Sequence, residues 1–507
     1  MSDGPAFTLD TFKNTARRLR KAHAAGDPDA HARVVAHVAS DRGLRHADFL
    51  HVIAREEGHE SWPKLKFAVE SAAMSRAEKA ERLKVALYQG QYWKTGRLLA
   101  EDPTLKDDTL GLQIALYDLD AVRAAVDRDP EAAVRPIGVR SPILHLAFSK
   151  EIHRSPGKEA DMMAIAELLV ASGADVNDGY LFQPGDKDML TALYGALCHA
   201  DNFTLGRWLL EKGADPNDNE CLYHATELEH ARALELLLKH NARPDGTNAL
   251  PRALDFEDEV KVRMLLEAGA DPNITVPDQP GGLPLNTIPA LHQAVRRGRS
   301  AAIVELLLEF GADAKAVWQG HTPYALARIY GNMAAADRLV EKGHASQLSE
   351  SETVLAACAD GVARPGSLDP AALSKYDRSL LSELAAFSGR LDHLKALVEA
   401  GFDPEMGDDM GLPPLHIAGW HGLVPELSYF LSREPDLSRK NHYGGDALDT
   451  VVHGSEFAPG RPEADHIACA RLLLEAGSVL QPHYVSNCGN PDMAVFLEDW
   501  QERSGRV

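Results

Sequence analysis

The sequence predicts an all-α solenoid of repeated helix–turn–helix units, preceded by a small helical segment. Three observations predict it. One phrase recurs along the chain, as Leu168–Asn177 (LLVASGADVN), Leu209–Asn217 (LLEKGADPN) and Leu265–Asn273 (LLEAGADPN). A second phrase stands upstream of several copies: Ser141–Ala147 (SPILHLA), Thr191–Leu197 (TALYGAL), Pro289–Ala294 (PALHQA), Thr322–Ala327 (TPYALA) and Pro413–Ala418 (PPLHIA). The glycine of the first phrase, or its substitute, falls at 173, 213, 241, 269, 311, 343, 401, 434 and 477. These positions bracket a unit of about 33 residues interrupted by insertions. No such unit can bury its faces alone, so stability must come from stacked neighbours. A prior of about 150 residues per domain would suggest three domains. The repeat replaces that prior, because a solenoid grows by adding units.

Each element follows from local chemistry. Residues 1–77 do not fit the period. Phe12, Leu19, Val34, Val35, Val38, Leu50, Val52, Ile53, Leu65 and Val69 support three or four short helices there, separated at Gly26-Asp27-Pro28 and Gly43. Ser61 is placed to cap a helix that Trp62 and Pro63 begin. Further along, Thr or Ser before Pro (Ser141, Thr322) reads as an N-cap with the proline in the first turn. Ala147, Ala196, Ala294 and Ala418 let the first helices of neighbouring units approach closely, and the paired leucines fill the space between units. Gly173, Gly213, Gly269, Gly311 and Gly401 read as left-handed caps that end the second helices. Asp and Asn then close the turn by bonding their own backbone. Fainter copies extend from Val85 to a degenerate cap at 484–502, and Pro251 fits a helix only in its first turn. Val354–Cys358 and Leu380–Gly389 split the long interval between Gly343 and Gly401 into two units. Insertions fall near 149–161, 178–190, 274–288, 361–375 and 454–465.

Together the two phrases resemble the ankyrin repeat. The segment Ile53–Lys66 (IAREEGHESWPKLK) resembles the helical leader found before bacterial arrays of that type. The resemblance implies an ankyrin-repeat solenoid of about 12 helix–turn–helix repeats with short β-turn fingers over residues 78–507, and an N-terminal helical leader or capping domain over 1–77. It implies that His145, His292 and His416 bridge neighbouring turns as structural residues. It also implies a protein partner in the concave groove, at the ends of the inner helices. Carried over repeat by repeat, the partner-binding candidates are Tyr88, Tyr117, Lys150, His199, Phe256, Arg296, Arg297, Tyr330, Phe387, Trp420, His421 and His453. Aromatics and arginine dominate binding energy at interfaces, whereas an uninvolved face would more often carry Lys and Glu.

Composition narrows the function. Lys+Arg is 53 and Asp+Glu is 75, a net charge of −22. That balance disfavours nucleic acid and anionic membranes as partners and would steer a basic protein in. No run approaches 18 apolar residues, and the N-terminal stretch lacks the apolar core of a signal peptide. Five scattered cysteines read as reduced thiols, which suits a cytoplasmic protein, monomeric on its own. Dinucleotide, P-loop, zincin, paired CxxC and nucleophile-elbow motifs are missing, so no catalytic residue, cofactor or metal is expected. His224, Glu227 and His230 share a helix face without zincin spacing. Cys198 and His199 are adjacent, and adjacent helical residues point apart. The expected function is a non-enzymatic protein–protein interaction scaffold, with an immunity or antitoxin-type inhibitor of a basic toxin as a specific form. The alternatives are an enzyme whose active site lies in the groove or insertion loops, and a secreted effector binding host proteins.

Overall fold

From Gly173 onward the second helices of the repeats end on left-handed residues in the computed structural model, which describes residues 8–38, 44–183, 185–186, 188–245, 247–274, 288–408, 410–458 and 460–504; the earlier helices Tyr92–Glu101 and Leu119–Arg128 end on extended Asp102 and Asp129. Gly173, Gly213 and Gly269 sit at φ of 103°, 98° and 96°. Where the sequence supplies Asn241 or Glu434 instead, the backbone still goes left-handed, at 65° and 56°. Stacking therefore imposes on these two residues a conformation that a side chain resists. Short first helices, such as Pro142–Ala147, Ala290–Arg296 and Pro414–Trp420, alternate with second helices such as Glu159–Ala171, Ala301–Glu309 and Val424–Leu431. Pro251 falls in the first turn of Ala249–Ala253, where its missing N–H costs nothing. Thr191 and Thr322 cap as expected, accepting from Tyr194 and Ala325 N–H groups. Ser141 does not. Its own carbonyl takes the Leu144 N–H, and its hydroxyl is buried without a partner.

The turns correct one expectation. Asp does bond its own turn: Asp215 and Asp271 accept the N–H two residues on, at 2.9 and 2.8 Å. Asn reaches outward instead. Asn177 accepts the Asp215 N–H at 2.7 Å, Asn217 the Arg243 N–H at 2.9 Å, and Asn273 the Asp313 N–H at 2.7 Å. Asn273 also donates to the Gly311 carbonyl at 2.9 Å. Each Asn thus satisfies backbone groups of the next repeat and sets its register. Of the three histidines, His292 and His416 reach the next repeat, while His145 bonds the finger just before its own helix. His145 bonds the Ile137 carbonyl at 3.0 Å, His292 the His321 carbonyl at 3.1 Å, and His416 the Thr450 hydroxyl at 3.2 Å. Among the described residues, strand pairing is limited to the fingers. Gly179–Tyr180 pairs antiparallel with Leu190–Thr191, and single bridges join Ile137 to Arg140 and Trp318 to His321.

The insertions take different forms where they are described. The first folds, with helix Glu151–Arg154 directing the buried Glu151 carboxylate at Arg154. The second forms the paired finger just described. In the third, residues 275–287 lie outside the described residues. The fourth holds a single 3₁₀ turn at Pro370–Ala372, and the helix Ala447–Phe457 runs into the fifth.

The chain divides into two units. One comprises Ser71–Ala327 with Asn332–Ser346 and holds the helix pairs from Arg76–Gln89 onward. The other comprises Met1–Glu70, Arg328–Gly331 and Gln347–Val507. Its N-terminal helices Leu9–Ala24, Pro28–Val35 and His46–Glu56 enclose Phe12, Leu19, Val34, Phe49, Leu50 and Ile53. Val35, expected in that core, is 61% exposed because its neighbour Val34 takes the inward face. These helices meet the helix Pro491–Ser504. Arg17 pairs with Glu498, Arg20 pairs with Asp499, and the Asp492 carboxylate accepts the Ala47 N–H at 2.9 Å. In the same unit, first helices Glu350–Ala359 and Leu380–Leu384 both pack on one second helix, Leu391–Ala400. The interval before Gly401 thus holds two first helices and a single long second helix. No helix among the described residues is long and apolar enough to cross a membrane.

Candidate partner-binding surface

In the unit of residues 71–346, one cluster gathers at the ends of three first helices. Helix Arg76–Gln89 ends on Tyr88, whose carbonyl accepts from His199 at 2.8 Å and whose ring centroid lies 4.0 Å from that imidazole. The Lys150 N–H bonds the Leu87 carbonyl at 3.1 Å. Arg140 enters from its finger. Its guanidinium lies 4.5, 4.9 and 4.6 Å from the rings of Tyr88, Phe148 and Tyr180, and donates to the Tyr180 hydroxyl at 2.6 Å. Three aromatic rings thus surround one half-buried cation, whose Nε is left without a hydrogen-bond partner. Burial, with a smaller contribution from Tyr180, pushes the Tyr88 phenol up to about 12. Burial and then the Lys150 cation push His199 down to about 4, so its imidazole is neutral. Burial also lowers the Lys150 amine. Tyr88, Lys150 and His199 therefore come together, but much of their surface is spent on the chain itself. Tyr117 is spent entirely: it is 1% exposed and belongs to the core.

A second arrangement faces outward. The Tyr194 ring meets His224 edge-on at 5.1 Å. Glu220 and Glu227 hold the His224 ring at 3.1 and 2.8 Å. Burial alone would push this imidazole down; the two carboxylates outweigh it and raise it to about 9. His224 is therefore a cation at neutral pH. Arg252 lies 5.5 Å over Tyr223 and 5.0 Å over Phe256, and pairs with Glu227 and Asp255 at 2.8 Å each. Asp255 also holds Arg297 at 2.9 Å and Gln293 at 2.8 Å. The Gln293 amide oxygen accepts from Arg296 at 3.3 Å. The result is a stripe of rings and paired charges from Tyr194 to Arg297, with Phe256 37% exposed at its middle. Exposed ion pairs contribute little stability, about 0–1 kcal/mol each. Their effect here is to fix side-chain positions before anything binds, which reduces the ordering cost of association.

In the other unit, Trp420 lies 5.5 Å from His453, which lies 4.5 Å from Phe457. His453 is not at a helix end as expected, because its helix continues to Phe457. The Tyr330 hydroxyl meets the Tyr376 hydroxyl at 2.7 Å and donates to Glu383 at 2.6 Å. Burial, then Arg461 and His466, push His421 down to about 4. Phe387 is half-buried.

Sequence reasoning singled out Phe256, Arg296 and Arg297 on the stripe, with Asp255 beside Phe256 at its helix end, but missed Tyr194, Tyr223 and Arg252 as contributors. Two of these carry a readable signal: Tyr223 and Arg252 stand four residues before Glu227 and Phe256, on the same helix face. Arg140 and Tyr180 lie in fingers, where no periodicity points to them. His230 departs from the His224 group and bonds Asp201 at 3.0 Å. Among the described residues no group of three or more His, Cys, Asp or Glu could hold a metal ion.

Comparison with known proteins places this geometry. A model described as ankyrin repeats in three copies matches residues 195–276, and a model of a single ankyrin repeat matches 286–316. Over 117 residues the chain is 36% identical to dynein axonemal heavy chain 12 of Bos taurus, covering 21% of this chain and 33% of that protein. The chain thus spans about a third of the length of that curated relative. It is also similar to the crystal structure of the human ASB11 ankyrin repeat domain, at 19% identity over 68% of this chain and all of that one, with a TM-score of 0.21. The repeat matches at 195–276 and 286–316 hold most of the stripe, from Gly195 to Arg297, and the helix pairs, left-handed caps and Asn bonds around them agree: this chain contains ankyrin repeats.

Proposed function

We propose that the chain is a non-enzymatic scaffold that binds a partner protein along the stripe from Tyr194 to Arg297. The observation that supports this reading is the pre-positioned set of rings and guanidinium at Tyr223, Arg252 and Phe256, held by Glu227 and Asp255. Such groups are the anchors of protein interfaces. Ankyrin repeats generally serve protein binding, which agrees with this use of the surface. The net charge of −22 favours a basic partner, the form that an immunity-type inhibitor of a basic toxin would take.

The test is affinity capture from native lysate with wild type and with Arg252→Ala/Phe256→Ala. The expected outcome is a stoichiometric protein bound by wild type, bound at least tenfold more weakly by the double variant, and released by added salt. Retention of that protein at unchanged affinity by a folded double variant would remove the stripe from the interface.

A further inference from the structure

We propose that Cys198 and Cys221 are a peroxide-oxidisable pair that closes to a disulfide between two neighbouring repeats. Cys198 stands in the first-helix segment Gly195–His199, and Cys221 opens the next first helix, Cys221–Ala225. The Cys198 thiol donates to the Cys221 carbonyl oxygen at 3.3 Å, and Cys198 is among the neighbours that act on the Cys221 thiol. Cys198 is half-buried and within reach of a small oxidant, while Cys221 is fully enclosed. Gly195–His199 is wound as a π-helix, a wider turn than an α-helix makes. Such turns are frequent at functional positions, and here one carries Cys198 against its neighbour.

A base stands behind the enclosed thiol. The Asp218 carboxylate accepts from the Cys221 sulfur at 2.9 Å and from the Thr191 hydroxyl at 2.6 Å. Burial raises the Asp218 carboxyl, which makes its carboxylate the better proton acceptor. Burial, with Cys198 and Asp218, raises the Cys221 thiol as well, so Cys221 stays protonated until it is used.

The chemistry follows in two steps. The Cys198 sulfur attacks a peroxide oxygen; the O–O bond breaks, one water leaves, and Cys198 becomes a sulfenic acid. The Cys221 proton then passes to Asp218 while the Cys221 sulfur attacks the Cys198 sulfur. The S–O bond breaks, and hydroxide leaves with the proton from Asp218 as a second water. Two thiols and one hydrogen peroxide thus give one disulfide and two waters, with the peroxide reduced by two electrons. The inference does not depend on which partner the stripe binds.

Hydrogen peroxide added to the full chain tests it directly. After digestion with trypsin without reductant, the fragments 188–207 and 213–232 should appear joined, lighter by two hydrogens than their sum. Buried Cys358 and Cys469, whose thiols burial also raises, should remain unmodified under the same dose. Cys221→Ser should leave Cys198 as a sulfenic acid trapped by dimedone, and Cys198→Ser should leave Cys221 a free thiol. The proposal is overturned if wild-type Cys198 oxidises while Cys221 stays a thiol, if Cys198 links only between molecules, or if neither reacts. The wild-type measurement needs no variant to fold.

Discussion

Asn217 ends one repeat phrase, yet its side-chain oxygen accepts the Arg243 N–H of the next turn. The Asp215 carboxylate, two residues earlier, bonds only its own turn. Asn217→Ala should therefore loosen two repeats rather than one turn, at a cost of about 1 kcal/mol. Urea denaturation with hydrogen exchange at 243–246 measures it; full protection there in the variant would show that the bond sets no register. The two roles were not equally legible. An Asx turn is visible inside one copy of the phrase, whereas a bond to the following copy is not. The same limit hid Arg140. Its place among Tyr88, Phe148 and Tyr180 is decided by a finger folding over three first-helix ends, and finger residues carry no helical period.

Helices and their caps were readable because their chemistry is local: Gly173 and Gly213 end helices where the phrase puts them. Packing between distant segments was not. Nothing in residues 9–24 announces that Arg17 and Arg20 face Glu498 and Asp499. The four side chains are between 24% and 32% exposed, so each pair contributes well under 1 kcal/mol beyond fixing orientation. Reversing one side, Arg17→Glu/Arg20→Glu, places like charges together and should destabilise the N-terminal helices by on the order of 1–2 kcal/mol. Adding Glu498→Arg/Asp499→Arg should restore most of it, and less so at high salt. Limited proteolysis of the N-terminal helices reads both changes. Equal sensitivity of the double and quadruple variants would mean that the apolar contacts alone hold these helices. The unpaired first helix Glu350–Ala359 was likewise hidden, since its partner Leu391–Ala400 lies beyond the next first helix.

Across the whole molecule, six histidines carry a shared consequence. Burial is the first cause that pushes His46, His199, His292, His393, His416 and His421 down to about 4. In the unfolded chain each returns to about 6.5. Between those values the unfolded state binds more protons than the folded one, so the stability tied to these six is full above about pH 6.5 and falls as pH drops toward 4, whereas that tied to His224, raised to about 9, is lost as pH rises toward 9. The urea midpoint should decline steeply over that window. His292→Gln, which retains a side-chain donor, should flatten the slope by about one proton. A slope unchanged from pH 7 to 4 would contradict the neutral, buried imidazoles.

The central claim is that recognition belongs to the stripe from Tyr194 to Arg297. Hydrogen–deuterium exchange of the purified complex, compared with the free chain, tests it most directly. The account predicts new protection at residues 223–228, 252–257 and 294–298, with second helices such as Ala301–Glu309 unchanged. Protection confined to the second helices, or to residues outside 194–297, would contradict it.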